Sequence, residues 1–153
     1  MRADSRIFVD TNVLVYARDL TEGGKQERAA VWLAGLWRTR RGVLSMQVLQ
    51  EYYVTVTGKL RPGLPREEAR RDVRAFGAWN PLGCGPELFP DAWAVQDRYG
   101  LSFWDALIVT AAKRTGARHL LTEDLQQGRA LDGIEVLNPF LHDPLRVLDL
   151  PPL

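Results

Sequence analysis

Four carboxylates, far apart in the sequence, stand in local settings from which a catalytic site can be built. Asp10 ends the apolar run at residues 7–9, and Asp124 follows a short strand-like run. Glu51 and Asp105 fall within two stretches that have the pattern of apolar helices. Brought together, these side chains would form an oxygen-rich cage for a divalent metal such as Mg²⁺ or Mn²⁺. Cages of this kind carry phosphodiester hydrolysis.

Each of these acids also has a purely structural interpretation. Asp10 could cap the helix that follows it, and for an isolated Asp this is the favoured interpretation. Glu51 could occupy a surface position, Asp124 could cap a turn, and Asp105 stands three residues after Ser102, the spacing of a capping box. The four acids together are harder to explain in this way, because crowded carboxylates repel one another unless a cation neutralises them.

The elements that must position these acids alternate along the chain between short strands and helices. Apolar runs predict strands at residues 6–9, 42–44, 118–121 and 134–137. Helical periodicity predicts helices at residues 12–18, 25–40, 46–56, 65–79, 90–99 and 102–115, the third ended by Gly58 and Pro62. This alternation is typical of an α/β domain with a central parallel sheet. Sites in such folds form beyond the carboxyl ends of the strands, so Asp10 and Asp124 should share that edge.

Length and composition restrict the kind of protein further. With 153 residues and 46% hydrophobic residues, the chain is expected to form one domain over residues 1–153. Its core should span about residues 6–139, and residues 140–153 should form an irregular, Pro-rich tail. The net charge of +1 does not by itself indicate a nucleic-acid binder. A single cysteine, Cys84, excludes an internal disulfide and a Cys-based metal site.

The sequence also predicts where the protein works. No apolar stretch is long enough to cross a bilayer, and the N-terminus lacks the apolar core of a signal peptide. These observations lead us to expect a cytoplasmic protein without a membrane partner.

The four acidic segments, taken in order, resemble a known family. They are residues 7–14 (IFVDTNVL), 48–53 (VLQEYY), 101–108 (LSFWDALI) and 120–124 (LLTED). Their order and spacing are similar to the motifs of PIN-domain ribonucleases over about residues 7–139. The chain looks most like the VapC-type toxins of bacterial toxin–antitoxin pairs, which are single PIN domains of about this size.

The resemblance implies a fold, a reaction and a set of site residues. The fold would have three layers, with a mostly parallel sheet flanked by helices, and the reaction would be Mg²⁺- or Mn²⁺-dependent cleavage of RNA. Asn12 and Thr122 match polar positions that support the metal pocket, and Glu123 either faces away or shares the work of its neighbour. The positions that match the family's acidic metal site are Asp10, Glu51, Asp105 and Asp124. Whether one or two metals bind is left open.

The resemblance also implies protein partners, namely a second copy of the chain and a cognate antitoxin. Antitoxins of this family wrap the helices near the active site and often send an Arg toward the carboxylates. Candidate surfaces for these partners include Trp32, Leu36, Trp37, Tyr52 and Tyr53. Basic residues on two predicted helices could contact the phosphate backbone of the RNA substrate. The favoured interpretation is that they form a solvated surface instead. These residues are Arg38, Arg40, Arg41, Arg66, Arg70, Arg71 and Arg74.

Three other classes of protein compete with this interpretation. Phosphatases of the haloacid dehalogenase type place a second Asp two residues after the first, where this chain has Asn12. Response-regulator receivers need paired early acids and a late Lys, a set that this chain lacks. A catalytically silent PIN-like scaffold that binds RNA or protein remains the alternative, although silent members usually lose their acids and this chain retains all four.

Overall fold

A mostly parallel sheet flanked by helices forms the centre of the chain. The computed structural model describes residues 5–152. Its strands are β1 (Ile7–Val9), β2 (Gly42–Val43), β3 (His119–Leu121), β4 (Ala130–Leu131) and β5 (Ile134–Leu137). Within these described residues they pair in the order β2–β1–β3–β5–β4, and only β4 runs antiparallel to its neighbour. The α/β fold class predicted from the sequence is therefore confirmed.

The register of the sheet places the two predicted strand-end acids close together. β1 and β3 are parallel neighbours, and Val9 lies opposite Leu121. The next residues, Asp10 and Thr122, therefore leave the sheet side by side. All three residues of β1 are fully buried, which is expected for a parallel strand covered by helices on both faces.

Helices cover the sheet and carry the other two acids. They are α1 (Thr11–Arg18), α2 (Gly24–Thr39), α3 (Met46–Val54), α4 (Arg66–Phe76), α5 (Leu88–Tyr99), α6 (Phe103–Arg114) and α7 (Pro144–Val147). α1 packs against α2 and α3, while α5 packs against α6. α3 continues into a π-helical turn at Thr55–Lys59, so Gly58 does not end this helix as the sequence predicts. Within residues 5–152, none of the helices is both long and apolar enough to cross a bilayer.

The C-terminal third contains two elements that hydrophobic periodicity does not predict. β4 forms a hairpin with β5 around Asp132 and Gly133, which both adopt positive φ, at 52° and 85°. The predicted irregular tail is wrong in one part, because α7 forms there with Asp143 as its N-cap. α7 packs against α2, and this contact explains why a helix forms in a segment whose Pro content does not favour one.

Gly42 is required by close packing between β2 and the turn after α4. A Cβ atom at this position would overlap the six-membered ring of Trp79. We expect Gly42→Ala to lower the free energy of unfolding by about 1–3 kcal/mol, because the Trp79 ring would have to shift from its packing against Trp37 and Phe76. Gly58→Ala is the matched control, since a Cβ at Gly58 meets no atom within 4 Å. Urea unfolding of both variants tests this; equal stability of the two would contradict the packing.

Candidate active site

Asp10 serves both as a helix cap and as the buried centre of a polar cluster. It is the N-cap of α1, and one carboxylate oxygen accepts the backbone N–H of Thr11 at 2.7 Å. The other oxygen accepts the hydroxyl of Thr122 at 2.8 Å and the amide of Asn12 at 3.3 Å. The capping interpretation is therefore correct for one carboxylate oxygen. The second oxygen does not cap the helix and instead accepts hydrogen bonds from Thr122 and Asn12.

Thr122 joins the ends of β1 and β3. Its side chain is fully buried, and its hydroxyl donates to Asp10. The same oxygen accepts from the Asn12 amide at 2.9 Å and from the backbone N–H of Asp124 at 3.1 Å. A single hydroxyl thus fixes the orientation of one carboxylate and the path of the loop that carries another.

Asn12 completes this link from the side of α1. Its amide nitrogen also lies 3.2 Å from a carboxylate oxygen of Asp124, and its carbonyl oxygen accepts the backbone N–H of Glu123 at 3.2 Å. These contacts hold the loop after β3 against the first turn of α1. The structure therefore brings together four of the predicted positions, namely Asp10, Asn12, Thr122 and Asp124.

Glu51 reaches the same region from α3. Ser45 caps this helix by accepting the backbone N–H of Val48. The two carboxylate oxygens of Glu51 accept the hydroxyl of Thr11 at 2.8 Å and the amide of Gln47 at 2.9 Å. Thr11 and Gln47 were not predicted as site residues, although Gln47 stands one helical turn before Glu51 and the i, i+4 spacing signals such a contact.

Asp105 is the fourth acid, and it approaches from α6. Ser102 caps this helix by accepting the backbone N–H of Asp105 at 3.1 Å, so half of the predicted capping box forms. Within residues 5–152, the Asp105 carboxylate accepts no hydrogen bond. Its charge nevertheless acts on Asp124, whose pKa it helps to raise.

The electrostatics of the cluster are those of crowded acids. Burial raises the pKa of Asp10 to about 7, against the hydrogen bonds from Thr122 and Thr11, and the charges of Asp124 and Glu51 add to the rise. Burial also raises the pKa of Asp124, and the charges of neighbouring acids contribute. A cation bound among these groups would relieve their repulsion.

Glu123 is occupied by a different set of contacts. It forms an ion pair with Lys25 and accepts the hydroxyl of Tyr16 at 2.5 Å. Although burial acts in the opposite direction, the hydrogen bonds from Lys25 and Tyr16 lower the pKa of Glu123. The charge of Glu123 is therefore already paired with that of Lys25, whereas the carboxylate of Asp124 lies near other acids.

An open cleft of about 430 Å³ lies beside Glu51, Glu123 and Asp124. Its lining includes Thr11, Asn12, Glu51, Glu123 and Asp124. Within the part of the chain that the structure describes, no three acidic, His or Cys side chains converge tightly enough to form a ready-made metal cage. The donors nevertheless fit a hard cation in type, because carboxylate oxygens are the ligands that Mg²⁺ and Mn²⁺ prefer and because Mg²⁺ retains several waters.

Several residues predicted to face partners are instead part of the core. Trp32, Leu36 and Tyr52 are buried within the chain, so their assignment to a partner surface is wrong. The Trp32 indole donates to the carbonyl of Pro139 at 2.8 Å. Trp37 remains available, with 39% of its surface exposed.

The predicted basic residues also fall into different settings. Arg41 is buried and donates to the carbonyl of Ser5, so it cannot follow an RNA backbone. Arg70 and Arg74 pair with Glu67 on the surface of α4. These contacts agree with the solvated interpretation of the α4 residues.

Comparison with known proteins places this geometry in a family. The model of the PIN domain family matches residues 7–131. A chain of a toxin–antitoxin complex from Klebsiella pneumoniae superposes with a TM-score of 0.59 at 20% identity, covering 88% of this chain and 98% of its own. The VapC20 toxin of Mycobacterium tuberculosis, described as cleaving the sarcin–ricin loop, superposes with a TM-score of 0.56 at 18% identity, covering 77% of this chain and 89% of its own. No curated protein matches the sequence significantly. Since the family model spans most of the chain, the protein belongs to the PIN domain family.

Proposed function

We propose that this PIN domain is a metal-dependent endoribonuclease and the toxin of a type II toxin–antitoxin pair. The observation that carries the proposal is the cluster at the carboxyl edge of the sheet, where Asp10 and Asp124 are held by Thr122 and Asn12. Support for RNA as the substrate and for a toxin role comes from the two structural relatives. One belongs to a toxin–antitoxin complex and the other is a toxin that cleaves the sarcin–ricin loop.

The site residues divide into metal-binding and supporting groups. Asp10 and Asp124 would bind Mg²⁺ or Mn²⁺ directly, with Asp105 and Glu51 completing the acidic set through their charge or through water. When bound, such a cation supplies an activated water and neutralises charge on the phosphate. Asn12 and Thr122 orient Asp10 and Asp124. Glu123 supports the loop through Lys25 and Tyr16 rather than sharing the catalytic work of Asp124.

The chain's own contacts prepare Asp10 for this role. Its carboxylate cannot rotate freely, because Thr11 holds one oxygen and Thr122 holds the other. Its ionised form is disfavoured by burial and by the neighbouring charges. Binding of a cation would therefore be coupled to release of the proton that Asp10 retains near neutral pH.

The proposed partners are RNA, a cognate antitoxin and a second copy of the chain. We propose that the chain is a single PIN domain that works in the cytoplasm. The antitoxin would cover the acidic cleft, where a basic side chain would find unpaired carboxylates. Co-expression with the product of a neighbouring antitoxin gene, followed by size-exclusion chromatography, tests both the homodimer and the complex with the antitoxin. A monomer that does not bind that product would contradict the toxin assignment while leaving the nuclease assignment intact.

The nuclease activity is tested by incubating the purified protein with total cellular RNA. The reaction is run with Mg²⁺, with Mn²⁺ and with EDTA, and the cut ends are mapped by sequencing. Discrete cuts that need a divalent cation would support the endoribonuclease and would reveal its substrate. Intact RNA in both metals, with RNA binding retained, would favour the silent scaffold instead.

Thr122 offers a test of how the site is positioned. We expect Thr122→Val to lower the cleavage rate by about 10–100-fold, because it removes the hydroxyl that orients Asp10 while preserving the side-chain volume. Thr122→Ser should recover most of the activity by restoring the hydroxyl. Thr110→Val is the matched control, since it also removes a buried hydroxyl, but one that donates within α6 to Ala106. Single-turnover cleavage rates compare the three variants; full activity of Thr122→Val would show that the hydroxyl is dispensable.

A further inference from the structure

A second cleft lies at the end of the sheet opposite the acidic cluster. It has a volume of about 560 Å³ and is formed where β1 and β2 begin and α6 ends. Arg6 precedes β1 and lines this cleft, whereas Asp10 follows β1 and belongs to the acidic cluster. The two sites are therefore separated by the length of one strand, and the volume is within the range of ligand-binding pockets.

The charged groups lining this cleft are all arginines. Among the described residues that line it, Arg6, Arg40 and Arg114 carry charge and no carboxylate is present. Arg6 donates to the carbonyl of Thr115 at 2.9 Å, which holds the guanidinium without neutralising it. Arg114 pairs with Asp91 at 2.8 Å. The exposed Arg40 guanidinium has no hydrogen-bond or ion-pair partner within residues 5–152, so its positive charge is not compensated by any residue that the structure describes.

Aromatic rings form the floor beside these arginines. Trp37 and Trp79 both line the cleft, and their ring centroids lie 5.1 Å apart. Phe76 packs against both rings, at 5.5 Å from Trp37 and 5.0 Å from Trp79. Trp79 is buried against Gly42, whereas 39% of Trp37 is exposed. The result is a fixed indole surface next to groups that bind phosphate.

We propose that this basic cleft binds a nucleotide unit, with its phosphate on Arg40 and Arg6 and its base against Trp37. Guanidinium groups bind phosphate oxygens in bidentate geometry, and a base stacks on an indole whatever its identity. The unit could come from a free mononucleotide or from an RNA strand, since the chemistry is the same. The RNA source rests on the proposed function, whereas the mononucleotide source does not.

The test uses the full chain in EDTA, where metal-dependent cleavage is prevented. Anisotropy of a fluorescein-labelled single-stranded RNA and calorimetry with AMP and with inorganic phosphate give the three affinities. We expect Arg40→Glu to weaken RNA or AMP binding by about tenfold or more, and Trp37→Leu to weaken it by about fivefold or more. Arg146→Glu is the charge-matched control, because this exposed residue of α7 does not line the cleft. Circular dichroism verifies that each variant is folded.

The outcomes separate the sources and the alternatives. Loss of both RNA and AMP binding, or of one of them alone, supports the proposal and identifies the source. AMP and RNA binding that is weakened by Arg40→Glu but unaffected by Trp37→Leu would reduce the cleft to an anion site and overturn the nucleotide assignment. Equal effects of Arg40→Glu and Arg146→Glu on RNA and AMP binding would overturn it as well. Asp10→Asn should retain binding in EDTA, so failure of the cleft and failure of the proposed nuclease give different results.

Discussion

Asp10→Asn should lower the rate of metal-dependent RNA cleavage by about a thousandfold. The substitution preserves the size of the side chain, and the amide oxygen can still accept the backbone N–H of Thr11. It removes the negative charge that would bind the cation. Loss of several kcal/mol of charge stabilisation in the transition state corresponds to a rate reduction of this order. Single-turnover cleavage of a mapped RNA substrate at saturating Mg²⁺ measures the effect.

Glu123→Gln is the matched control for this experiment. It also replaces a carboxylate with an amide near the cleft, but at a residue that is already paired with Lys25 and Tyr16. We expect its cleavage rate to stay within about tenfold of the unsubstituted protein, since the acidic set of Asp10 and Asp124 is unchanged. If Glu123→Gln were as inactive as Asp10→Asn, Glu123 rather than Asp124 would be the acid contributed by the loop after β3.

The order of strands and helices could be predicted from the sequence because it depends on local patterns. Short apolar runs and helical periodicity identify β1, β3 and β5 and the long helices to within a few residues. The rule that parallel strands share a carboxyl edge then predicts that Asp10 and Asp124 are neighbours. The contacts through Asn12 and Thr122 agree with that expectation.

The parts that could not be predicted depend on contacts between distant residues. Trp32 and Trp37 both lie on the apolar side of α2, yet one is fully buried beneath Pro139 and the other is exposed. Which of them is covered depends on how the C-terminal segment folds back over the helix. Likewise, Lys25 reaches Glu123 across 98 residues of sequence, so the pairing that distinguishes Glu123 from Asp124 has no local signal.

The β4–β5 hairpin is a different case, because its signal is present in the sequence. Asp132 and Gly133 form an Asp-Gly pair, a dipeptide that is strongly favoured in two-residue hairpin turns with positive φ. The strand that precedes it, Ala130–Leu131, is too short to show alternation, and hydrophobic periodicity alone therefore misses it. The turn chemistry would have been sufficient to predict this hairpin.

The metal-free protein should lose stability as the pH rises from about 4 to about 7. The pKa of Asp10 is about 7 in the folded protein, against an ordinary value of 3.8. Between these values the folded chain retains a proton that the unfolded chain releases, so a rising pH favours unfolding. A difference of about three pKa units corresponds to a loss of up to about 4 kcal/mol, complete above the folded pKa. The raised pKa of Asp124 acts in the same direction.

Urea unfolding in EDTA at several pH values between 5 and 8 measures this loss, and Asp10→Asn isolates its cause. The variant has no group that titrates at this position, so the gap between its stability and that of the unsubstituted protein should change by about 2–3 kcal/mol between pH 5 and pH 8. The remainder of the effect falls below pH 5, where the unfolded chain takes up the proton. The lowered pKa of Asp132, about 2, contributes below this window and does not interfere. Because a cation favours the ionised form of Asp10, Mn²⁺ should stabilise the protein more at pH 8 than at pH 5. A pH-independent gap between the two proteins would contradict the raised pKa. Equal stabilisation by Mn²⁺ at both pH values would argue that the cation does not bind at Asp10.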